Sequence, residues 1–304
     1  MKVSIIMRSK NSDWVIDQAL AGLFAQSYKD FELWVVDSGS TDRTLEMVRR
    51  HPAKIVEIPA KSYVPGSVLN AAIARTDGDL VVFQNSDVVP LSPDTLARLI
   101  AAFDDPAVDA AFARQIPRPE AHGWVRRDYA TSFPEHGPAP SFMPYSLPLA
   151  AMRRSAWEKH PFYTDAWGSE DAEWGFWARR NGLVIRYVSS AIVMHSHNYT
   201  LKEMYGRRFI EGEADAFIHG GADSVGGLVR RVIGATARDA LYCLGARDLG
   251  GLLASPVRRA AYHAGYFAGH RHGERRRARG DTDIGKGQRI VLEQLGGAGT
   301  REAR

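Results

Sequence analysis

The strict alternation of short apolar runs with helical patterns over the first hundred residues most constrains what this chain can fold into. Val3–Met7, Glu32–Asp37, Lys54–Ile58 and Leu80–Asn85 read as strands. Trp14–Gln26, Asp42–Arg50, Gly66–Arg75 and Pro93–Phe103 read as the helices between and after them, the last led by Ser92 and Pro93. Strand and helix in turn predict a parallel sheet whose functional groups collect at the carboxyl ends of its strands. Those ends carry Arg8, Asp37 and Asp87.

After Arg114 the pattern breaks. Seven prolines fall between Ile116 and Pro148, which predicts an irregular segment of the kind that serves as a binding loop or lid. Order returns with a strand at Leu149–Met152, a helical pattern over Glu170–Asn181, and strands over Leu183–Val188 and Ala191–His195. From Val225 the chain reads as helical. Val225, Val229, Val232, Ile233, Ala240, Cys243 and Leu244 share one side, which predicts a helix packed by that side on the main domain. The final stretch, basic and then glycine-rich, is expected to be poorly ordered. The expected organisation is a domain over 1–222, in halves 1–114 and 115–222, then a basic amphipathic helical region over 223–279 and a disordered tail over 280–304.

Composition narrows the class. With 304 residues, 45% hydrophobic and 24% charged, the chain has the make-up of an ordinary globular α/β protein. The single cysteine, Cys243, excludes an internal disulfide, and Met1–Met7 is too short an apolar run for a signal peptide, so a cytoplasmic location is expected. The positive charge belongs to the tail. From Leu228 onward 15 Lys/Arg stand against 7 Asp/Glu, or +8, while the rest holds 24 against 28, or −4. A basic end suits phosphate-rich partners, including the anionic inner face of a membrane, and packing into a homodimer is its competing use. The acidic main domain carries no nucleic-acid motif, so no nucleic acid is expected.

Three constellations hold residues able to do chemistry. Asp37-Ser38-Gly39-Ser40-Thr41-Asp42 ends the second strand. There a carboxylate can accept a hydrogen bond from a base N–H, with Ser40 in the turn, although Asp42 reads better as a helix cap. Gln84-Asn85-Ser86-Asp87 closes another strand, where a carboxylate suits Mg²⁺ or Mn²⁺ held against a diphosphate; a plain turn fits the same residues. Gly168-Ser169-Glu170-Asp171-Ala172-Glu173-Trp174 sets the adjacent carboxylates Glu170 and Asp171 beside Trp167 and Trp174, aromatic surfaces on which a sugar could stack. His195 and His197 follow at strand spacing, each fitting a metal ligand, a phosphate contact or a polar core group.

In series, these motifs resemble a known family. Ser4-Ile5-Ile6-Met7-Arg8-Ser9-Lys10-Asn11, Phe24-Ala25-Gln26-Ser27-Tyr28, the Asp37 turn, Gly66-Ser67-Val68-Leu69-Asn70, Gln84-Asn85-Ser86-Asp87, Met152-Arg153-Arg154, Glu170-Asp171-Ala172-Glu173-Trp174 and His195-Ser196-His197-Asn198 together resemble family-2 inverting glycosyltransferases, most of all bacterial rhamnosyltransferase-like members. The resemblance covers roughly Lys2 to Gly212. It implies a glycosyltransferase A-type fold, a Rossmann-like, mostly parallel sheet with helices on both faces, followed here by a C-terminal helical appendage.

The resemblance also implies roles. Asp37 would bind the pyrimidine of a UDP- or dTDP-type sugar donor, with Arg8, Ser40, Asn70, Asn85 and Ser86 around it. Asp87 would coordinate Mg²⁺ or Mn²⁺ with His195 or His197. Asp171 would be the catalytic base, with Glu170 beside it, and Trp167 and Trp174 would face a glycan or polyprenyl-linked acceptor in cell-surface polysaccharide synthesis. Asn85 departs from the pattern, since many relatives carry an aspartate there. A dehydrogenase is disfavoured because Arg8-Ser9-Lys10-Asn11-Ser12-Asp13 has no glycine. A nucleotidyltransferase lacks its Gly-rich phosphate loop, and a non-catalytic, basic-tailed binding module has only the tail in its favour.

Overall fold

The computed structural model describes residues 1–294. They form two compact units, each built from several stretches of chain. The first comprises Met1–Arg118, Tyr129–Tyr163 and Asp171–Ser196; the second comprises Pro119–Asp128, Thr164–Glu170 and the chain from His197. The expected span 1–222 is therefore divided, because the helix that follows His197 clusters with the C-terminal helices.

In chain order the elements are β1 (Val3–Ser9), α1 (Ile16–Phe24), β2 (Phe31–Asp37), α2 (Thr44–Val48), β3 (Ala53–Glu57), α3 (Pro65–Ile73), β4 (Leu80–Asn85), β5 (Val89–Pro90) and α4 (Thr95–Ala101). They continue with β6 (Val108–Ile116), α5 (Gly123–Ser132), β7 (Leu149–Arg153), α6 (Arg154–Lys159), α7 (Glu170–Arg180) and β8 (Val184–Met194), and end with α8 (Leu201–Ile218), α9 (Val225–Gly245), α10 (Leu249–Ala278) and α11 (Lys286–Gln294). The strands form one sheet in the order β3-β2-β1-β4-β7-β6-β8-β5.

The parallel expectation holds for β1 to β4 and fails at β7, which runs antiparallel to both β4 and β6. The chain leaves β6 and re-enters the sheet at the same edge, and without a crossover back to the opposite edge a strand can only reverse direction. Successive side chains along each strand point to opposite faces. Ile5, Val82 and Ala111 enter one apolar core with Leu20, Leu33 and Leu99, while Ile6, Phe83 and Phe112 enter a second with Tyr145 and Trp174. The sheet is thus covered on both faces. Two elements depart from expectation: the proline-rich segment contains α5, and β8 is one continuous strand with a register shift against β6.

In the second unit, α8 and α10 pack backbone to backbone. A Cβ on Gly269 would stand 1.9 Å from the Phe209 carbonyl oxygen, one on Gly265 2.4 Å from that of Tyr205, and one on Gly212 2.2 Å from that of Tyr266. Only glycine admits such contact. The pair α9 and α10 closes on a buried ion cluster. Arg259 Nε donates to Asp239 Oδ2 at 2.6 Å and its Nη2 to Asp128 Oδ1 at 2.7 Å, and Ser255 Oγ donates to Asp239 at 2.6 Å.

The expected inward apolar side of α9 is overturned. Ala235, Asp239 and Cys243 are its buried residues, while Val225, Val229, Ile233 and Leu244 are exposed, because the interior contact is made by small residues and the ion cluster. Of the tail expected to be disordered, Lys286–Gln294 forms α11, and 295–304 lies outside the described residues.

Candidate active site

Parallel strands bring their carboxyl ends to one edge, and in the register of β1 Ser9 lies beside Asp37 and Arg8 beside Asn85. The loops after β1 and β2 are stitched together there. Ser9 Oγ donates to Asp37 Oδ2 at 2.8 Å, the Asn11 N–H to Ser40 Oγ at 2.9 Å, the Thr41 N–H to Asn11 Oδ1 at 2.8 Å, and the Ser12 N–H to Thr44 Oγ1 at 2.7 Å. Asp42 stands one residue before Arg43, which occupies the cap position of α2, so it does not cap the helix as expected; its carboxylate instead accepts from the Thr44 and Asp13 N–H groups. Burial opposes its charge, but these hydrogen bonds outweigh burial and hold its carboxyl below the usual range.

Asp37 itself is fully buried. Beyond Ser9, it accepts from Ser40 Oγ at 2.6 Å, from the Ser40 N–H at 2.7 Å and from the Gly39 N–H at 3.0 Å. A carboxylate offers about four acceptor positions, and the protein fills them. These nearby donors fix the carboxylate, and through it Asp37 organises the rim. Gly39 makes the turn at φ +81°, which a side chain would strain.

Asn70 is likewise tied into the fold. Its Oδ1 accepts from Trp157 Nε1 at 2.8 Å and from the Phe162 N–H at 3.0 Å, while its Nδ2 donates to the Phe162 carbonyl at 2.8 Å. It clamps α3 to the segment after α6. Nearby, Gly66 leaves no room for a Cβ, which would fall 2.0 Å from the Tyr163 carbonyl oxygen.

The end of β4 holds the polar cluster. Arg8 Nη2 donates to Asn85 Oδ1 at 3.3 Å, and Ser86 Oγ shares a 2.7 Å hydrogen bond with Ser12 Oγ. Asp87 Oδ2 lies 3.5 Å from His195 Nε2. Behind the imidazole, Nδ1 is 2.8 Å from Gln115 Oε1 and 3.4 Å from the Tyr129 hydroxyl, and Gln115 Nε2 donates to Ser146 Oγ at 2.9 Å. Because the amide oxygen can only accept, it selects the Nδ1–H tautomer and puts the lone pair on Nε2, on the side of Asp87. An imidazole nitrogen and a carboxylate oxygen at this spacing fit a divalent cation, and the buried Gln115 orients the ring as outer partners of metal-binding histidines do. The strand alternation expected to align His195 with His197 stops short, since β8 ends at Met194; His197 belongs to the second unit, where it stacks on Tyr199.

Asp171 stands in the first turn of α7. Its Oδ2 accepts from the Leu147 N–H at 3.3 Å and its Oδ1 from the Ala172 N–H at 2.8 Å. The preceding turn carries Gly168 at φ +103° and Ser169 at φ +57°, a left-handed non-glycine residue of the kind that collects at functional sites. Glu170 is buried in the second unit, where Trp167 is half-buried. Trp174 is excluded as a sugar platform. It has no exposed surface, packs on Tyr145 and Phe162, and donates through Nε1 to the His160 carbonyl at 2.9 Å.

Two groups near Asp87 escaped sequence reading. Arg118, buried and over the Trp14 ring at 4.9 Å, donates to the Asp87 carbonyl at 2.7 Å, and Gln115 stands behind His195. Both follow from β6, whose signal is the run Val108-Asp109-Ala110-Ala111-Phe112-Ala113.

Comparisons with known proteins bear on the family and the fold. The family model described as "Glycosyl transferase family 2" matches residues 4–166. The O-antigen chain rhamnosyltransferase RfbN of Salmonella typhimurium is 29% identical over 229 residues, 70% of this chain and 72% of the relative. Its counterpart WbaN of Salmonella anatum is 29% identical over 203 residues, 62% and 63% of the two chains. Among solved structures, the mannosyltransferase PcManGT from Pyrobaculum calidifontis, in complex with GDP-Man and Mn²⁺, superposes with a TM-score of 0.63 at 21% identity, covering 90% of this chain and 86% of that one. TarS 1-349 of S. aureus in complex with UDP-GlcNAc gives 0.52 at 18% identity, covering 92% of both. These likenesses place the architecture among glycosyltransferase A-type folds, and the family match over more than half the residues carries the assignment: this chain belongs to glycosyl transferase family 2.

Proposed function

We propose that this glycosyltransferase moves a sugar, rhamnose or another hexose, from a UDP- or dTDP-type donor to a hydroxyl of a glycan or polyprenyl-linked acceptor, with inversion. The observation that carries the reading is the pairing of Asp87 with His195 at the carboxyl end of β4, with Gln115 fixing the tautomer. The rhamnosyl preference is supported by the O-antigen relatives, and the use of a nucleotide sugar with a divalent cation by the GDP-Man and Mn²⁺ in the structure of PcManGT and the UDP-GlcNAc in that of TarS 1-349.

Asp87 and His195 would hold Mg²⁺ or Mn²⁺, with His197 two residues further along the chain as a third ligand. A cation bound there would neutralise charge on the departing diphosphate. The donor base would lie on the rim that Asp37 organises, with Ser40 and Arg8 at its edge and Asn85 and Ser86 toward the phosphates. Asp171 would take the proton of the attacking hydroxyl. A carboxylate is a weak base toward an alcohol, so transfer comes late, once the forming bond to the anomeric carbon has made the hydroxyl acidic.

Asp171→Asn tests this. The amide oxygen still accepts from Leu147, so donor binding measured by calorimetry with dTDP-rhamnose should hold, while transfer falls at least about 100-fold. Turnover near that of the wild type removes Asp171 from the mechanism.

A further inference from the structure

The hairpin formed by α9 and α10 turns its large apolar side chains outward. Val225, Val229 and Ile233 repeat every fourth residue at 61%, 50% and 64% exposure, and Leu241 and Leu244 follow at 74% and 59%. On α10, Leu249, Leu253 and Val257 repeat at the same spacing at 69%, 80% and 58%. Eight of the fourteen exposed large hydrophobics among the described residues thus fall within these 33 positions. From Val225 to Arg259 the buried positions are Ala235, Asp239, Cys243, Ser255 and Arg259. A helix in a water-exposed protein keeps its large apolar groups inside; this hairpin does the opposite.

Charge identifies what covers it. Arg230, Arg238 and Arg247 are exposed among the apolar residues. The acidic residues of the stretch point elsewhere: Asp239 is buried against Arg259, and Asp248 Oδ1 accepts from the Gly251 N–H at the start of α10. Between Val225 and Val257 no carboxylate is exposed. A surface of leucine, valine and arginine without acid matches a layer of anionic headgroups over acyl chains. A second copy of the same surface would bring arginine against arginine. No helix among the described residues is long and apolar enough to cross a membrane, so contact would be with the surface.

We propose that the outward face of the α9–α10 hairpin docks on an anionic lipid bilayer, with its leucines and valines entering the headgroup boundary and Arg230, Arg238 and Arg247 meeting lipid phosphates. This places the lipid contact on the part of the hairpin from Val225 to Val257, in contrast to the Arg-rich carboxyl end of α10.

The test is co-sedimentation of the full chain with vesicles of phosphatidylcholine alone or with 30% phosphatidylglycerol. Binding is expected to the mixed vesicles and to weaken with salt. Leu249→Glu/Leu253→Glu should lower the partition coefficient tenfold or more, and each Arg→Gln among the three about fivefold. The leucines are exposed, so the thermal midpoint of the double variant should match that of the wild type. No partitioning into mixed vesicles, or partitioning that the leucine substitutions leave unchanged, overturns the proposal. So does self-association in light scattering that these substitutions abolish in a chain that ignores vesicles, since a second copy then covers the face.

Discussion

Replacing Gln115 by leucine removes the amide oxygen 2.8 Å behind His195 Nδ1 while keeping the side chain's approximate bulk. What remains near Nδ1 is the Tyr129 hydroxyl at 3.4 Å, too long for a strong hydrogen bond. The imidazole proton is then free to move to Nε2, where it can donate to Asp87 Oδ2, 3.5 Å away in the present geometry. A hydrogen bond to a charged carboxylate is worth about 1.5–3 kcal/mol, and an incoming cation would have to break it. Loss of an outer partner typically weakens metal binding 10- to 100-fold, and the two estimates coincide because 1.4 kcal/mol is a factor of ten. The assay is titration of Mn²⁺ followed by the resonance of the free ion, run on wild type, Gln115→Leu and Gln115→Glu. The glutamate variant should bind at least as well as wild type, since its carboxylate still accepts from Nδ1. If the leucine variant binds Mn²⁺ within twofold of wild type while remaining folded, the tautomer argument fails.

Gly269→Val should destabilise the second unit by about 3 kcal/mol, the upper end of overpacking costs, because the added Cβ meets a backbone carbonyl that cannot rotate away; an unchanged denaturation midpoint would contradict the packing described. Asp239→Asn removes the charge on which Arg259 closes and should cost about 3–5 kcal/mol at neutral pH. Burial opposes the Asp239 charge, but Arg259 and Ser255 hold its carboxyl below the usual range. The group therefore contributes stability above the unfolded pKa of about 3.9 and loses it as pH falls through the depressed folded value. Stability curves of wild type and variant should accordingly be parallel above pH 5 and converge in acid. A gap that persists in strong acid would locate the effect elsewhere.

The strand ends were readable because apolar runs such as Val3–Met7 and Leu80–Phe83 stop abruptly at polar residues, and a parallel sheet sends such stops to one edge. Direction was not readable at β7: Leu149-Ala150-Ala151-Met152 is buried on both faces, and a continuous apolar run carries no information about which way it travels. The internal partners of Asn70 and Asp37 were not readable, because side-chain amides and carboxylates serve loops and ligands through the same hydrogen bonds and a sequence does not say which donors lie within reach. Trp174 failed for a different reason, since helical spacing alone does not tell a tryptophan beside two acids from one beneath them. On α9 the periodicity was real but its sense was inverted, because Ala235, Cys243 and a buried ion cluster had taken the interior.

The stitching of the β1 and β2 loops has a consequence for the energetics of recognition. Ser9, Asn11, Asp37, Ser40 and Thr41 satisfy one another through at least five hydrogen bonds, so this part of the rim loses its conformational freedom when the chain folds. A ligand arriving there meets a surface already in shape, and its affinity is not diminished by ordering it. If the donor binds as proposed, discrimination at that wall would come from fit to a rigid outline, and adaptation to different ligands would fall to segments less tightly tied to their neighbours.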